Sequence, residues 1–166
     1  MRRPKKERRR YSRYDTEMKI YFHVSYDIKT KIRYRILASK KQKYSSKKYP
    51  GISRNISVEG LCFVSKKKLE KEDMLLLEVY APNVKAPIQM QGQVRWSCKL
   101  PQKPKYKKMF YTGVKLIAVN DEVVADSVHY DAEYKIVWSK VLEAVFGDFK
   151  AMVKRLKRNK RTPKTN

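Results

Sequence analysis

Short stretches of alternating apolar and polar residues run through residues 18–118, and this period of two constrains the fold most strongly. The first stretch, from Met18 to Ser25, has an apolar side chain at every second position, as expected of a strand with one buried face. Six further short strands, separated by turn residues, are predicted at 32–37, 52–57, 61–65, 75–79, 88–96 and 109–118. About six to seven short antiparallel strands predict a mainly β fold, a small closed or nearly closed β-barrel.

Several details of these strands are specific predictions. Pro50-Gly51 is expected to close a loop rich in Lys and Ser. Gly92 interrupts its strand and indicates a bulge or a close backbone approach. Trp96 continues the apolar alternation that begins at Ile88, so the pattern places both residues on the same strand face.

At Asn120 the period changes to that of a helix. Asn120 is a suitable N-cap, and the acidic residues that follow it suit the positive end of a helix dipole. Apolar residues then recur in steps of four and three, as in a heptad seam, at Trp138, Leu142, Val145, Phe149, Met152 and Leu156. Such a helix is too short to stand alone in water, so it should pack on the barrel or on a second copy, giving a homo-oligomer. Gly147 inside the seam allows a kink.

Charge is concentrated at both ends of the chain. The formal net charge is +25, and residues 1–13 and 150–166 each carry eight Lys or Arg against a single Glu in total. Such a distribution should attract an anionic partner with an affinity that falls as salt rises. We therefore predict four segments: a basic arm at 1–15, a barrel at 16–118, a C-terminal α-helical extension at 119–157 and a basic disordered tail at 158–166.

The chain lacks the marks of an exported or membrane protein. No apolar run approaches the roughly 20 residues that a membrane span needs, and no apolar stretch follows the basic N-terminus, as a signal peptide would require. Cys62 and Cys98 are expected to be reduced thiols. These features favour a cytoplasmic protein without a transmembrane segment.

The sequence gives little support for an enzyme. His23 is expected on the polar face of a strand and His129 in a helix, and neither has a Cys or acidic partner at metal-ligand spacing. There is no Gly-rich phosphate loop and no nucleophile elbow. We therefore expect no catalytic residues, no metal and no cofactor.

Two polar motifs carry the chemistry. In Arg9-Arg10-Tyr11-Ser12-Arg13, two guanidiniums stand four residues apart, and Asn55-Ile56-Ser57-Val58-Glu59-Gly60 forms a corner between two strands. A guanidinium can pair with the O6/N7 edge of guanine, bind phosphate oxygens and stack on a purine. Asn55 offers a donor and an acceptor, and Gly60 is where the backbone can adopt a positive φ without a side chain in the way.

The two motifs resemble the RxxxR and [D/N]xSxxG motifs of PilZ domains, the bacterial receptor modules for cyclic di-GMP. Looser similarities lie in Gly60–Phe63, Gly92–Trp96 and Tyr111–Leu116, which look like later barrel strands of that family. The resemblance covers about residues 7–120 and implies a PilZ-type β-barrel.

The resemblance also implies a ligand and a site. Cyclic di-GMP would be bound by residues of both motifs, namely Arg8, Arg9, Arg13, Asn55, Ser57 and Gly60. Arg10 is either an additional contact or a solvated side chain. Arg8 lies where the family's ligand stoichiometry is tuned. Binding would order the N-terminal arm over the barrel, and the new surface or a repositioned C-terminal helix would be read by a protein partner.

Two alternatives remain open from the sequence. A basic barrel could bind single-stranded nucleic acid, with Tyr21, Tyr34 and Tyr111 as stacking platforms, although strand aromatics usually serve packing. A PilZ-fold adaptor that binds only protein is the other. Salt dependence distinguishes the nucleic-acid alternative from a cyclic di-GMP receptor, because the affinity of a polynucleotide site should fall more steeply with salt than that of a dinucleotide pocket.

Overall fold

A closed antiparallel barrel is the centre of the computed structural model, which describes residues 9–26, 47–82, 84–101 and 108–147. In chain order, the strands up to residue 119 are β1 (Tyr14–Asp15), β2 (Lys19–Tyr26), β3 (Tyr49–Ile56), β4 (Gly60–Ser65), β5 (Met74–Tyr80), β6 (Ile88–Lys99) and β7 (Phe110–Val119). Neighbours follow the order β3-β2-β5-β6-β7-β4, and pairing of β3 with β4 closes a six-stranded barrel. The prediction of a mainly β fold with a small antiparallel barrel is confirmed.

The barrel interior is filled by the apolar positions of the alternating strands. Phe22 and Phe63 pack against each other with ring centroids 5.0 Å apart and ring planes tilted by 54°, and both are fully buried. Other fully buried side chains from the surrounding strands are Ile20, Leu75, Leu77, Met90, Val94 and Leu116. Burying each such side chain contributes about 1.5–3 kcal/mol of stability relative to leaving it exposed. Burial of the side chains on the inner face of the strands is therefore the main source of the fold's stability.

Two of the local predictions have different outcomes. Gly92 is confirmed as a close approach at a register shift, because a Cβ there would lie 2.4 Å from Val114 Cγ1. Pro50-Gly51 was expected to close a loop, but both residues lie inside β3. Gly51 is needed there for space, since its Cβ would lie 3.1 Å from the Phe63 ring. The predicted strand at 32–37 lies outside the described residues.

A bulge in β6 turns Trp96 to the opposite face from the one predicted. Val94 pairs with Val114 and Trp96 with the adjacent Gly113, so two steps along β6 match one step along β7. The extra residue reverses the alternation. Val94 is fully buried, whereas the Trp96 side chain is 42% exposed on the outside of the barrel.

The chain after the barrel is a mixture of short elements rather than one helical region. These are β8 (Glu122–Val123), α1 (Val124–Ser127), β9 (His129–Asp131), β10 (Ile136–Trp138) and α2 (Lys140–Phe146). The prediction of Asn120 as an N-cap is wrong, because Asn120 and Asp121 have φ of 46° and 65° and form the two-residue turn between β7 and β8. Hairpin turns with two positive φ values favour Asn and Asp. His129 was predicted in a helix and lies in β9.

The predicted helical seam is only partly helical. Trp138 ends β10, and α2 ends at Phe146, where Gly147 with φ 79° caps the helix by donating its N–H to the Glu143 carbonyl. The predicted kink is therefore a helix end. Phe149, Met152 and Leu156 lie outside the described residues, and the division of the chain into four segments stays a prediction.

The part of the seam that is described packs on the chain's own barrel. Trp138, Leu142 and Val145 are buried in the same core cluster as the barrel strands, so these three side chains do not form a self-association surface. Among the described residues, no helix is both long and apolar enough to cross a membrane.

Candidate ligand-binding groove

The corner between β3 and β4 lies at the barrel surface and is held there by buried side chains and backbone hydrogen bonds. Its two apolar residues, Ile56 and Val58, are buried. The Ser57 N–H donates to the Gly60 carbonyl at 2.9 Å, and the Leu116 N–H donates to the Glu59 carbonyl at 2.8 Å. The corner is thus fixed both to itself and to β7.

Gly60 is needed for the space that a side chain would fill, not for an unusual backbone angle. Its φ is not positive, which differs from the expectation. A Cβ at this position would lie 3.2 Å from Ser57 Oγ and 3.4 Å from the Val114 carbonyl oxygen. A side chain here would therefore crowd the hydroxyl of Ser57 at the groove surface.

The N-terminal arm runs beside this corner and presents its arginines outward. Tyr11 and Tyr14 are half-buried and pack against the core, while Arg9, Arg10 and Arg13 are exposed. The Arg10 guanidinium lies 5.1 Å from the centroid of the Tyr11 ring, a cation–π distance. Two aromatic anchors therefore hold a segment whose charged groups face solvent.

Arm and corner enclose one groove of about 320 Å³, and six predicted site residues line it: Arg9, Arg10, Arg13, Asn55, Ser57 and Gly60. Arg8 lies outside the described residues. Arg95 and Lys115 also line the groove, which holds five cationic side chains and one acid, Glu59. The groove is therefore suited to a compact anion.

A second groove of about 690 Å³ continues from the first across the outer barrel face. The two share Arg13, Asn55, Cys62 and Trp96. The residues found only in the second groove are Asp15, Thr16, Glu17, Arg54 and Tyr111. Arg13 therefore stands between a cationic region and a region that also carries acids.

Trp96 is the aromatic wall common to both grooves, and its position depends on Gly113. A Cβ on Gly113 would come within 2.3 Å of the Trp96 ring, so the indole lies directly against the backbone of β7. The ring is supported on one side and exposed on the other. Such a platform suits stacking of a nucleobase.

Cys62 lies in the floor of both grooves. Burial raises the pKa of its thiol, and the nearby positive charge of Arg13 opposes that shift in part. The thiol is therefore neutral near pH 7 and contributes a small, uncharged surface. Within the part of the chain that the structure describes, no group of three His, Cys, Asp or Glu side chains could hold a metal ion.

Sequence reasoning found the two motifs and missed most of the wall opposite them. Arg95 and Lys115 lie in stretches that resemble later family strands but were not assigned to the site, and Trp96 was assigned to the same face as Ile88. The Gly113 position opposite Trp96 was the one available signal, since a glycine in a strand often marks a close approach. Tyr111, considered only as a nucleic-acid platform, lines the second groove.

The fold and the groove together define a small β-barrel domain with a cationic groove that has an aromatic wall on the outer face of the barrel. The family model of the PilZ domain matches residues 7–130, and the chain belongs to the PilZ family. No curated protein matches the sequence.

Solved structures include two similar chains. The PilZ domain with c-di-GMP of YcgR from Escherichia coli is 8% identical with a TM-score of 0.51, over 94% of this chain and all of that one. The inhibitor of motility MotI/DgrA from Bacillus subtilis is 16% identical with a TM-score of 0.49, and 94% of this chain matches 54% of that one. At 8% identity, the likeness to the YcgR domain supports the fold alone.

Proposed function

We propose that this protein is a bacterial, cytoplasmic receptor for the second messenger cyclic di-GMP, which it binds without chemical change. The observation that carries the proposal is the convergence of two motifs, 42 residues apart in sequence, on one groove. Both are motifs of the PilZ family, and the YcgR domain with the same fold is a structure with c-di-GMP. The proposed ligand contacts are Arg8, Arg9, Arg13, Asn55, Ser57 and Gly60, with Arg10 as an additional one.

The charges and surfaces of the groove fit such a ligand. Cyclic di-GMP carries two phosphates, and the smaller groove has five cationic side chains against one acid. Charge-assisted hydrogen bonds from guanidinium to phosphate are among the strongest in proteins. Trp96 adds a flat face for a base. Phosphates, base edges and base faces therefore each have a matching group.

Contacts between the site and α2 support a relay to the C-terminal region. Tyr14, adjacent to Arg13, meets the Phe146 ring edge-on at a centroid distance of 5.7 Å. The Ser139 hydroxyl, at the N-cap of α2, donates to the Val58 carbonyl of the corner at 2.6 Å. A ligand that fixes the arm and the corner relative to each other would change the contacts that hold both ends of α2. We propose that a partner protein reads that change.

Calorimetric titration with cyclic di-GMP tests the proposal, with wild type, Arg13→Ala and the double variant Arg9→Ala/Arg13→Ala. Loss of one charge-assisted contact should weaken binding about ten-fold or more, and the double variant should show no binding at ligand concentrations that saturate wild type. Lys85→Ala is the matched control, because it removes one charge at an exposed position outside both grooves.

The same titrations at low and near-physiological salt separate the alternatives. A dinucleotide pocket should lose little affinity, whereas a polynucleotide site should weaken steeply. No binding of cyclic di-GMP by wild type, or equal binding of GTP or an oligonucleotide, would contradict the receptor proposal. The protein-only adaptor or the nucleic-acid barrel would then be the better description.

A further inference from the structure

One line of side chains crosses five strands along the groove floor. Directly paired positions connect Asp15 of β1 to Asn55 of β3, then to Cys62, Gly113 and Trp96. Directly opposite residues of antiparallel strands project to the same side of the sheet. The larger groove is lined by four of these five residues. A carboxylate therefore lies at one end of a row that has an indole at the other.

Charge along this row is divided. The smaller groove beyond Arg13 is strongly cationic, whereas Asp15 and Glu17 lie in the larger groove. Two phosphates favour the cationic end, which leaves a base to extend toward the acids. The polarity of the groove thus gives a bound dinucleotide a preferred orientation.

Of the two acids, Asp15 is the one available to a ligand. Glu17 is 3.9 Å from the Arg54 guanidinium, so its charge already has a partner. The exposed Asp15 carboxylate makes no hydrogen bond or ion pair with any other described residue. Its backbone is fixed, because β1 pairs with β3. The carboxylate is therefore positioned without being used by the fold.

We propose that the Asp15 carboxylate reads the Watson–Crick edge of a guanine and makes the groove selective for guanine over adenine. This inference rests on the proposed function. An ionised carboxylate only accepts hydrogen bonds. Guanine presents two adjacent donors, N1–H and the N2 amine, whereas adenine presents an acceptor at N1. Asn55 carries both a donor and an acceptor, so by itself it matches either base.

The length of this row of paired residues also fits a purine base. Cys62 lies two strands from Asp15 in the row, which corresponds to about 10 Å between backbones. A purine lying over Cys62, with one side toward the Trp96 ring, would have its opposite edge directed at Asn55 and Asp15. The small thiol leaves space for such a base.

The test compares ligands that differ only in their bases. Wild type, Asp15→Asn, Asp15→Ala and the control Glu17→Gln are titrated with cyclic di-GMP, cyclic di-IMP, which lacks the N2 amine, and cyclic di-AMP. Asp15→Asn and Glu17→Gln each remove one negative charge from the same groove. The general gain in affinity for a dianion therefore appears in both and cancels in the ratio of dissociation constants.

Wild type should prefer cyclic di-GMP over cyclic di-IMP by roughly ten-fold, the order expected for a well-placed pair of base contacts, and over cyclic di-AMP by more. Both Asp15 variants should reduce these ratios toward one, and Glu17→Gln should keep them. Cyclic di-GMP binding with unchanged ratios in the Asp15 variants would overturn this inference and leave the receptor function intact. Failure of wild type to bind cyclic di-GMP would overturn both.

Discussion

The two halves of the groove are held by different means. The corner is part of the barrel: Ile56 and Val58 are buried, and its backbone is bonded to β7 and to the N-cap of α2. The arm is attached by two half-buried tyrosines, Tyr11 and Tyr14, and by the pairing of β1 with β3, while its arginines are exposed.

This difference indicates a division of labour within one site. A side chain on the corner has its position set by folding, so little entropy is lost there on binding. An exposed arginine on the arm would lose more side-chain entropy on binding an anion, and part of the interaction energy would offset that cost. The corner therefore supplies fixed geometry, and the arm supplies exposed positive charges.

The largest expected effect is on stability, from the core side of the corner. Ile56→Ala removes a fully buried side chain and should lower the free energy of unfolding by about 2–5 kcal/mol. Arg13→Ala, at an exposed arm position, should change it by less than about 0.5 kcal/mol. Urea denaturation measures both. Similar losses in the two variants would mean that the arm is as much a part of the fold as the corner.

The next largest effect is a loss of ligand affinity on changing Trp96, the aromatic side chain that lines both grooves. Trp96→Ala should weaken cyclic di-GMP binding by about 1–3 kcal/mol, the range for one base stacked on an aromatic side chain. Gly113→Ala should have a similar effect, because its Cβ would displace the indole. Tyr130→Ala is the control, since this aromatic is 61% exposed and lines neither groove. Calorimetry that finds wild-type affinity in both groove variants would exclude Trp96 as a platform.

The smallest effect concerns the link from corner to helix. Ser139→Ala leaves the Val58 carbonyl without its buried donor and should cost about 1 kcal/mol of stability, with less than a ten-fold loss of ligand affinity. Ser127→Ala removes a hydroxyl that bonds Val124 and Lys140 in the same region without contacting the corner. Thermal melting and calorimetry should show destabilisation in both variants but weaker binding only in Ser139→Ala. Equal affinities of Ser139→Ala and Ser127→Ala for the ligand would mean that α2 does not influence the binding site.

Sequence alone predicted the barrel well because burial in a half-exposed strand is a local property. Ile20 and Phe22 face inward as the alternation requires, and the two motifs lie where strands begin or end. Prediction was poorer after residue 119. Asn and Asp suit a helix start and a hairpin turn equally well, and the pairing of β7 with β8 selected the turn.

The sequence by itself therefore determined the six barrel strands β2 to β7, most of the inner face of the barrel and the identity of both motifs, because each depends on residues close together in the chain. Only the tertiary structure decided that the motifs share a groove, that Trp96 points outward and that Asp15 stands in one row with Asn55 and Cys62. These features depend on register and on a bulge. Both are set by packing between strands that are far apart in sequence, so no local pattern records them.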